Sequence, residues 1–265
     1  MSLIRLFLKP LSILFVFLFI LPFEAFANGA PLKAAVPLEK PWSYYNDKGE
    51  LEGLFVSYFK ALSIELGRPI LISAVPLRRV LLGMEKGNYD LSLMFREQAS
   101  KGTVTLVAPT LPLDTLLIGL RGLKIKNNSS IEGLRLAMVR GASSGSWIDE
   151  NDKIKKISTS NYNQAVWLLK QGRVDAISGS YPVLENVMKK QEMDWTDLNK
   201  PYLLSCRFVM LVFSNFSSQY SELDTVRRVA KRLQQSPKWN VLLNDVSEFA
   251  PSMLGAHVHH EFLKH

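Results

Sequence analysis

The sequence predicts an α/β protein of two similar lobes, each a mostly parallel sheet flanked by helices. Two observations lead there. Strand-like and helix-like segments alternate in the order βαβαβ from Leu32 to Phe95, and the same order begins again at Leu134. The two stretches also echo each other: LLGMEKGNYDLSL (81–93) and VWLLKQGRVDAIS (166–178) both run helix, Gly, two residues, Asp, strand, with Gly87 and Asp90 matching Gly172 and Asp175. Any helix-to-strand turn has some of this pattern, and the two aspartates read as strand-start residues rather than catalysts.

In order, LKAAVPL (32–38) is a short strand, and NDKG (46–49) has the Asn/Asp start and Gly end of a turn. Phe55, Tyr58, Phe59, Leu62 and Leu66 recur at helical spacing, with Gly67 placed to end that helix. PILISAV (69–75) is a strand, Pro76 opens a second helix closed by Gly87, and YDLSLMF (89–95) is the third strand. The second unit has LRLAMV (134–139), a Gly/Ser turn into a helix at GASSGSWIDE (141–150), and KIKKIST (153–159). A helix capped by Asn161 and Gln164 and the strand VDAISGS (174–180) complete it. LLIGLRGL (116–123) lies between the units and CRFVMLVF (206–213) follows the second, both strand-like. Only helices follow, at 221–235 and from Ser236-Pro237 to 249. They need a sheet to lie on, and the first is the expected one, so the chain crosses over at about residue 119 and returns at about 209. The expected division is 28–118 plus 209–265 for one lobe and 119–208 for the other, with a ligand cleft between them.

Residues 1–27 read as an export signal. Arg5 and Lys9 give a positive start, LSILFVFLFIL (11–21) an apolar stretch, and AFA (25–27) a small-x-small site, so cleavage is expected near Ala27/Asn28. The apolar run is short of the ~18 residues of a spanning helix. The chain carries 32 basic and 24 acidic residues. Its basic runs look like solvated faces of a strand and a helix rather than a nucleic-acid surface, so no nucleic-acid partner is expected. Cys206 is the only cysteine and lies in an apolar run, which excludes an intrachain disulfide and suggests a buried structural thiol. All four histidines lie in the last nine residues. His257, His259 and His260 are metal-capable donors, but nothing else there resembles a ligand set, and neither a metal nor a cofactor is expected.

The ordered set PWSYYNDKGELEGLFVSYFKALSIELGRPILISAVPLRRVLLGMEKGNYDLSLMF (41–95), IEGLRLAMVRGASSG (131–145) and LLKQGRVDAISGSYPVL (168–184) resembles the type II periplasmic solute-binding proteins, in particular the family-3 group best known for polar amino acids. The resemblance spans nearly the whole mature chain. It implies the two-lobed fold with two crossing strands, a solute in the cleft and lobes that close on it. It also places the loop carrying Trp42, Tyr44 and Tyr45 at the cleft, where an aromatic face covers an apolar or cationic group. At least one of the three is expected to pack under the adjacent turn instead. Arg79 aligns with an arginine often seen after the second strand of related sequences. Phe95 and Arg96 end the third strand, at the edge where open α/β sheets bind ligands. Ser143 and Ser144, at a helix start, favour an anion, although ordinary capping explains serines there nearly as well.

The departures matter equally. The family's carboxylate-binding Arg falls on Ser100, with Arg96 and Lys101 nearby, and its ammonium-binding Asp falls on Ser180. Both hallmark contacts to an α-amino acid are missing, which argues against an ordinary amino-acid ligand. The expected function is a non-catalytic periplasmic receptor for a small polar or anionic solute, serving an ABC permease or a membrane sensor, monomeric as is usual in the family. Two alternatives stand beside it. One is an enzyme of the same fold, dehydratase-like on a cyclic carboxylate. Histidine is absent from residues 1–256, and the nearest candidate acid is Glu97. The other is an interaction module using the cleft as a protein surface.

Overall fold

The computed structural model describes residues 29–99 and 102–237. The export-signal segment, Ser100, Lys101, residues 238–249 of the helix expected from Ser236 and the histidine tail lie outside the described residues. Strand β1 (Leu32–Pro37) leads into a small ribbon, β2 (Tyr44–Tyr45) with β3 (Leu51–Glu52), and then α1 (Leu54–Leu66). Next come β4 (Ile70–Val75), α2 (Leu77–Glu85), β5 (Leu91–Phe95) and the long β6 (Val104–Gly119). The second half holds β7 (Arg135–Val139), α3 (Ser146–Glu150), β8 (Lys155–Thr159), α4 (Tyr162–Lys170), β9 (Ala176–Ser180) and α5 (Tyr181–Lys190). The long β10 (Tyr202–Ser214) and α6 (Leu223–Gln234) complete the described chain. Among these helices none is long and apolar enough to cross a membrane.

Eight strands form one sheet in the order β4-β1-β5-β10-β6-β9-β7-β8. β1 is parallel to β4 and β5, and β7 is parallel to β8 and β9, so each half is a parallel triplet of a βαβαβ unit. The antiparallel pair β6 and β10 joins them. Val209–Phe213 of β10 pair with β5, while Thr115–Gly119 of β6 pair with β9. Both long strands therefore run from one half into the other, and their pairing shifts register between Leu203 and Ser205, Val209 and Met210, and Leu211 and Val212.

The matched aspartates make the same contact in both halves. Asp90 accepts from the Lys33 amide through Oδ2 (2.7 Å) and donates its own amide to the Lys33 carbonyl (2.8 Å). Asp175 does so with Arg135, at 2.7 and 2.8 Å. Each carboxylate thus ties the entry of its unit's last strand to the first strand, a structural role. The Arg135 guanidinium beside Asp175 holds that carboxyl below its usual range.

Helices cover both faces of the sheet. Phe59 and Leu62 of α1 and Val226 and Leu233 of α6 pack with Leu93 and Phe213, whereas Val80 and Met84 of α2 pack with Met94 and Val212. α6 lies on α1 and β6, so the returning helix does use the first sheet half. Val166 and Leu169 of α4 and Val183 and Val187 of α5 belong to the same core as α1 and α6, and Leu117, Leu136 and Ile148 form another. Sequence reasoning did not assign α5, although Pro182 at its first turn is a start signal. It also shortened β6, because Pro109 and Pro112 inside the strand argue against pairing there. Cys206 is a correction: the residue is exposed on β10 rather than buried in a core. Partial desolvation of the thiol, together with the Asp114 carboxylate that bonds it, pushes it up to about 11, so it stays protonated at neutral pH.

Candidate functional site

A cleft of about 240 Å³ opens where the strand ends of the two halves face each other across β6 and β10. The first half lines it with Leu38 and Glu39 after β1, Trp42, Phe55 at the start of α1, and Leu93 and Phe95 of β5. The second half contributes Val139, Ser143 and Ser144 after β7, Tyr162, Ser178 and Ser180 of β9, and Val183. Leu113, Thr115 and Val209 of the crossing strands form its floor.

Of the nine residues expected from sequence, Trp42, Phe95, Ser143, Ser144 and Ser180 line this cleft, and Tyr44, Tyr45, Arg79 and Arg96 do not. Trp42 is 6% exposed and stacks on Phe55, with ring centroids 5.1 Å apart and planes at 17°. The Trp42 carbonyl is pinned by the Phe55 amide (3.0 Å), and a Cβ on Gly53 would lie 2.5 Å from that carbonyl oxygen. With φ at 120°, the position calls for glycine. Tyr44 sits on the ribbon instead, its ring beneath Lys40 Nζ at 4.8 Å and its hydroxyl bonded to Glu52. Tyr45 is 57% exposed on the same ribbon. Arg79 is exposed because α2 turns Val80, Leu81 and Met84 inward, and Arg96 is exposed in a short turn after β5.

The serine wall is already bonded within the protein. Ser143 Oγ donates to Asp149 Oδ2 (2.5 Å) and the Ser144 amide donates to Asp149 Oδ1 (3.0 Å), so Asp149 fills the anion position expected at this helix start. Ser144 and Ser178 share a hydroxyl contact of 2.6 Å.

Three residues that sequence reasoning missed shape the site. Arg207, on β10, places its guanidinium 4.1 Å from the Phe95 ring centroid. Its Nη1 donates to Glu97 Oε2 (3.1 Å) and Ser143 Oγ (2.8 Å), and its Nη2 donates to Thr115 Oγ1 (3.2 Å) and the Ser143 carbonyl (2.8 Å). Nε reaches Ser205 Oγ at 3.0 Å. One side chain thus links the end of β5 to the loop after β7, and Gln98 makes a second link by donating to the Gly141 carbonyl (3.0 Å). A charged residue inside the otherwise apolar run CRFVMLVF was the signal for Arg207. Tyr162, the first residue of α4, packs its ring against β9 where Gly179 leaves room: a Cβ there would come 2.6 Å from Tyr162 Cε1. Burial, reinforced by Glu39 and opposed by Arg207, raises the Tyr162 hydroxyl, so it remains a neutral donor.

Glu39 is the third. The nearest candidate acid expected from sequence was Glu97, but the carboxylate that lines the cleft is Glu39, and its place two residues beyond β1, at a strand edge, was the available signal. Its backbone is fixed by amides of Trp42 (2.8 Å) and Ser43 (3.0 Å) on its carbonyl. Burial pushes the carboxyl up to about 7, against the opposing pull of Lys190. No group of three or more metal-capable side chains occurs among the described residues.

No protein-family model matches the chain, and no curated protein matches it. Solved structures do. ArgBP from T. maritima superposes with a TM-score of 0.67 at 17% identity, covering 83% of this chain and 95% of that one. A histidine kinase sensor domain with similarity to periplasmic binding proteins gives 0.71 at 12% identity, covering 81% and 95%. The ancestral amino acid-binding protein AncCDT-1, a precursor of cyclohexadienyl dehydratase, gives 0.65 at 19%, covering 81% and 94%. At such identities these likenesses speak of architecture: the chain has the two-lobed type II periplasmic binding-protein fold.

Proposed function

We propose that this protein is a periplasmic solute receptor whose lobes close on a small polar solute, delivering it to an ABC-type permease or reporting it to a membrane sensor. The observation that carries the reading is the cleft itself, with an aromatic stack on one wall, hydroxyls on the other, and Arg207 and Gln98 tying the walls together. Such contacts are what a closing ligand adds to. We take the lobes as 28–118 plus 209–265 and 119–208, with β6 and β10 as the flexing element. Structures of similar fold include a substrate-binding protein of an amino acid ABC transporter and the sensor domain above, which supports both outlets. Trp42, Phe95, Ser144 and Ser180 are the contacts we assign from the sequence-derived set, joined by Glu39 and Tyr162.

The anionic half of the expectation is the weaker one, because Asp149 and Glu97 already occupy the donors an anion would use. An enzymatic reading has one observation in its favour: a carboxyl titrating near neutrality beside Tyr162 suits general acid chemistry. Turnover separates the two, since a receptor returns its ligand unchanged.

The test is thermal denaturation of the exported protein against a panel of amines, amino acids, organic acids, aromatic carboxylates and sugars. At a hundredfold excess over its dissociation constant, a ligand adds ~2.7 kcal/mol, which raises the melting temperature by roughly 5–10 °C for this size. A folded, ligand-free protein that responds to no member would overturn the reading.

A further inference from the structure

The cleft carries one acidic or basic side chain among its described lining residues, Glu39, and its charged form is negative. Both devices that could answer a ligand's carboxylate are spent. Arg207 has five N–H donors, and they meet five acceptors: Ser205 Oγ, Glu97 Oε2, Ser143 Oγ, the Ser143 carbonyl and Thr115 Oγ1. The Ser143 hydroxyl and Ser144 amide hold Asp149. A carboxylate entering this cleft would therefore meet Glu39 without compensation, at a large desolvation cost.

The carboxylate of Glu39 has the opposite need. Lys190, on α5, and Arg207, on β10, act on this corner of the cleft only at a distance, and Tyr162 faces it from α4 as a neutral group. Trp42 and Phe55 present a stacked aromatic surface in the same half, and Leu93 and Val209 extend the apolar lining. The cavity of about 240 Å³ takes a ring and a short chain.

Resting on the receptor reading, we propose that the ligand is a small carboxylate-free amine with an apolar or aromatic body, its ammonium paired with Glu39 and its body against Trp42 and Phe55. This separates it from α-amino acids, whose carboxylate meets no cationic side chain among the described lining residues. Glu39 is the residue that sets specificity.

The experiment is calorimetric titration of the purified exported protein with three probes of one shape: 2-phenylethylamine, 2-phenylethanol and phenylacetate. The amine is expected to bind at least about tenfold more tightly than the alcohol, a discrimination of about 1.4 kcal/mol, and phenylacetate least of all. Glu39→Gln, confirmed folded by a cooperative melt, is expected to erase the amine's advantage. Phenylacetate binding as tightly as the amine, or Glu39→Gln leaving the amine unaffected, overturns the inference. A panel response confined to amino acids or acids overturns it while the receptor reading stands; silence to every probe and to the whole panel overturns both.

Discussion

Replacing Glu39 by glutamine should make the protein more stable at pH 8 and change little at pH 4.5. Burial raises the folded-state pKa of this carboxyl from 4.5 to about 7. The unfolded chain has no such burial, so between these values the folded state binds the extra proton. The stability linked to Glu39 is therefore fully present below pH 4.5, falls as pH rises, and is lost above about 7. At 1.36 kcal/mol per decade, the loss amounts to about 3 kcal/mol, and to roughly 2 after allowing for the partial exposure of the side chain. Glutamine keeps the shape without the titration. Urea unfolding of wild type and Glu39→Gln at pH 4.5, 6, 7 and 8 should show the two coinciding at the acid end. At pH 8 they should separate by roughly 1 M in midpoint, taking a slope of ~2–3 kcal/mol per molar. Pairing the proteins at each pH cancels the other carboxylates. Lys190 and Tyr162 face the same group and are present in both. A gap that does not widen with pH, or a variant weaker at every pH, would refute the burial argument.

Other substitutions test other links. Asp90 is 4% exposed and also takes the Ser217 hydroxyl, so Asp90→Asn should cost about 2 kcal/mol; Asp175, on a more open surface, should lose under about 1 when changed in the same way. Equal losses in denaturant melts would contradict the burial difference between the halves. Gly179→Ala drives a methyl into Tyr162 and should lower stability by about 1–3 kcal/mol while loosening any ligand measured by titration. Phe59→Ala empties a fully buried site and should cost about 3–5 kcal/mol in the same melts. Arg207→Met removes the tie between Glu97 and Ser143, and X-ray scattering of the unliganded protein should show a larger radius of gyration; an unchanged radius would mean that the tie does not hold the halves together.

The parallel triplets were legible because each is local: periodic apolar residues, turn glycines and the repeated Gly-x-x-Asp sit within one unit. The crossing strands were only half legible. Their pairing spans about a hundred residues, and Pro109 and Pro112 conceal β6 from any local rule. Site residues followed the same line. Phe95 and Ser180 stand at strand ends that the pattern locates, and Trp42 next to a turn. Arg79 and Arg96 were misplaced because charge and alignment say nothing about which face of a short helix or turn points to solvent. Glu39 and Arg207 act through burial and through contacts from the opposite half, neither of which a linear string displays.

The placement of β10 sets an order of assembly. It is the last strand of the described chain, yet it lies between β5 and β6 in the sheet. A chain made from its N-terminus can pair β4, β1 and β5 early, but Leu91–Phe95 keep an open edge until Val209–Phe213 arrive. The edge of the first triplet must therefore wait for a segment that emerges almost at the end, whereas β9 meets β6, which is made before it. That open edge acts as a timer written into the strand order: the first half stays incomplete until nearly all of the chain has been made.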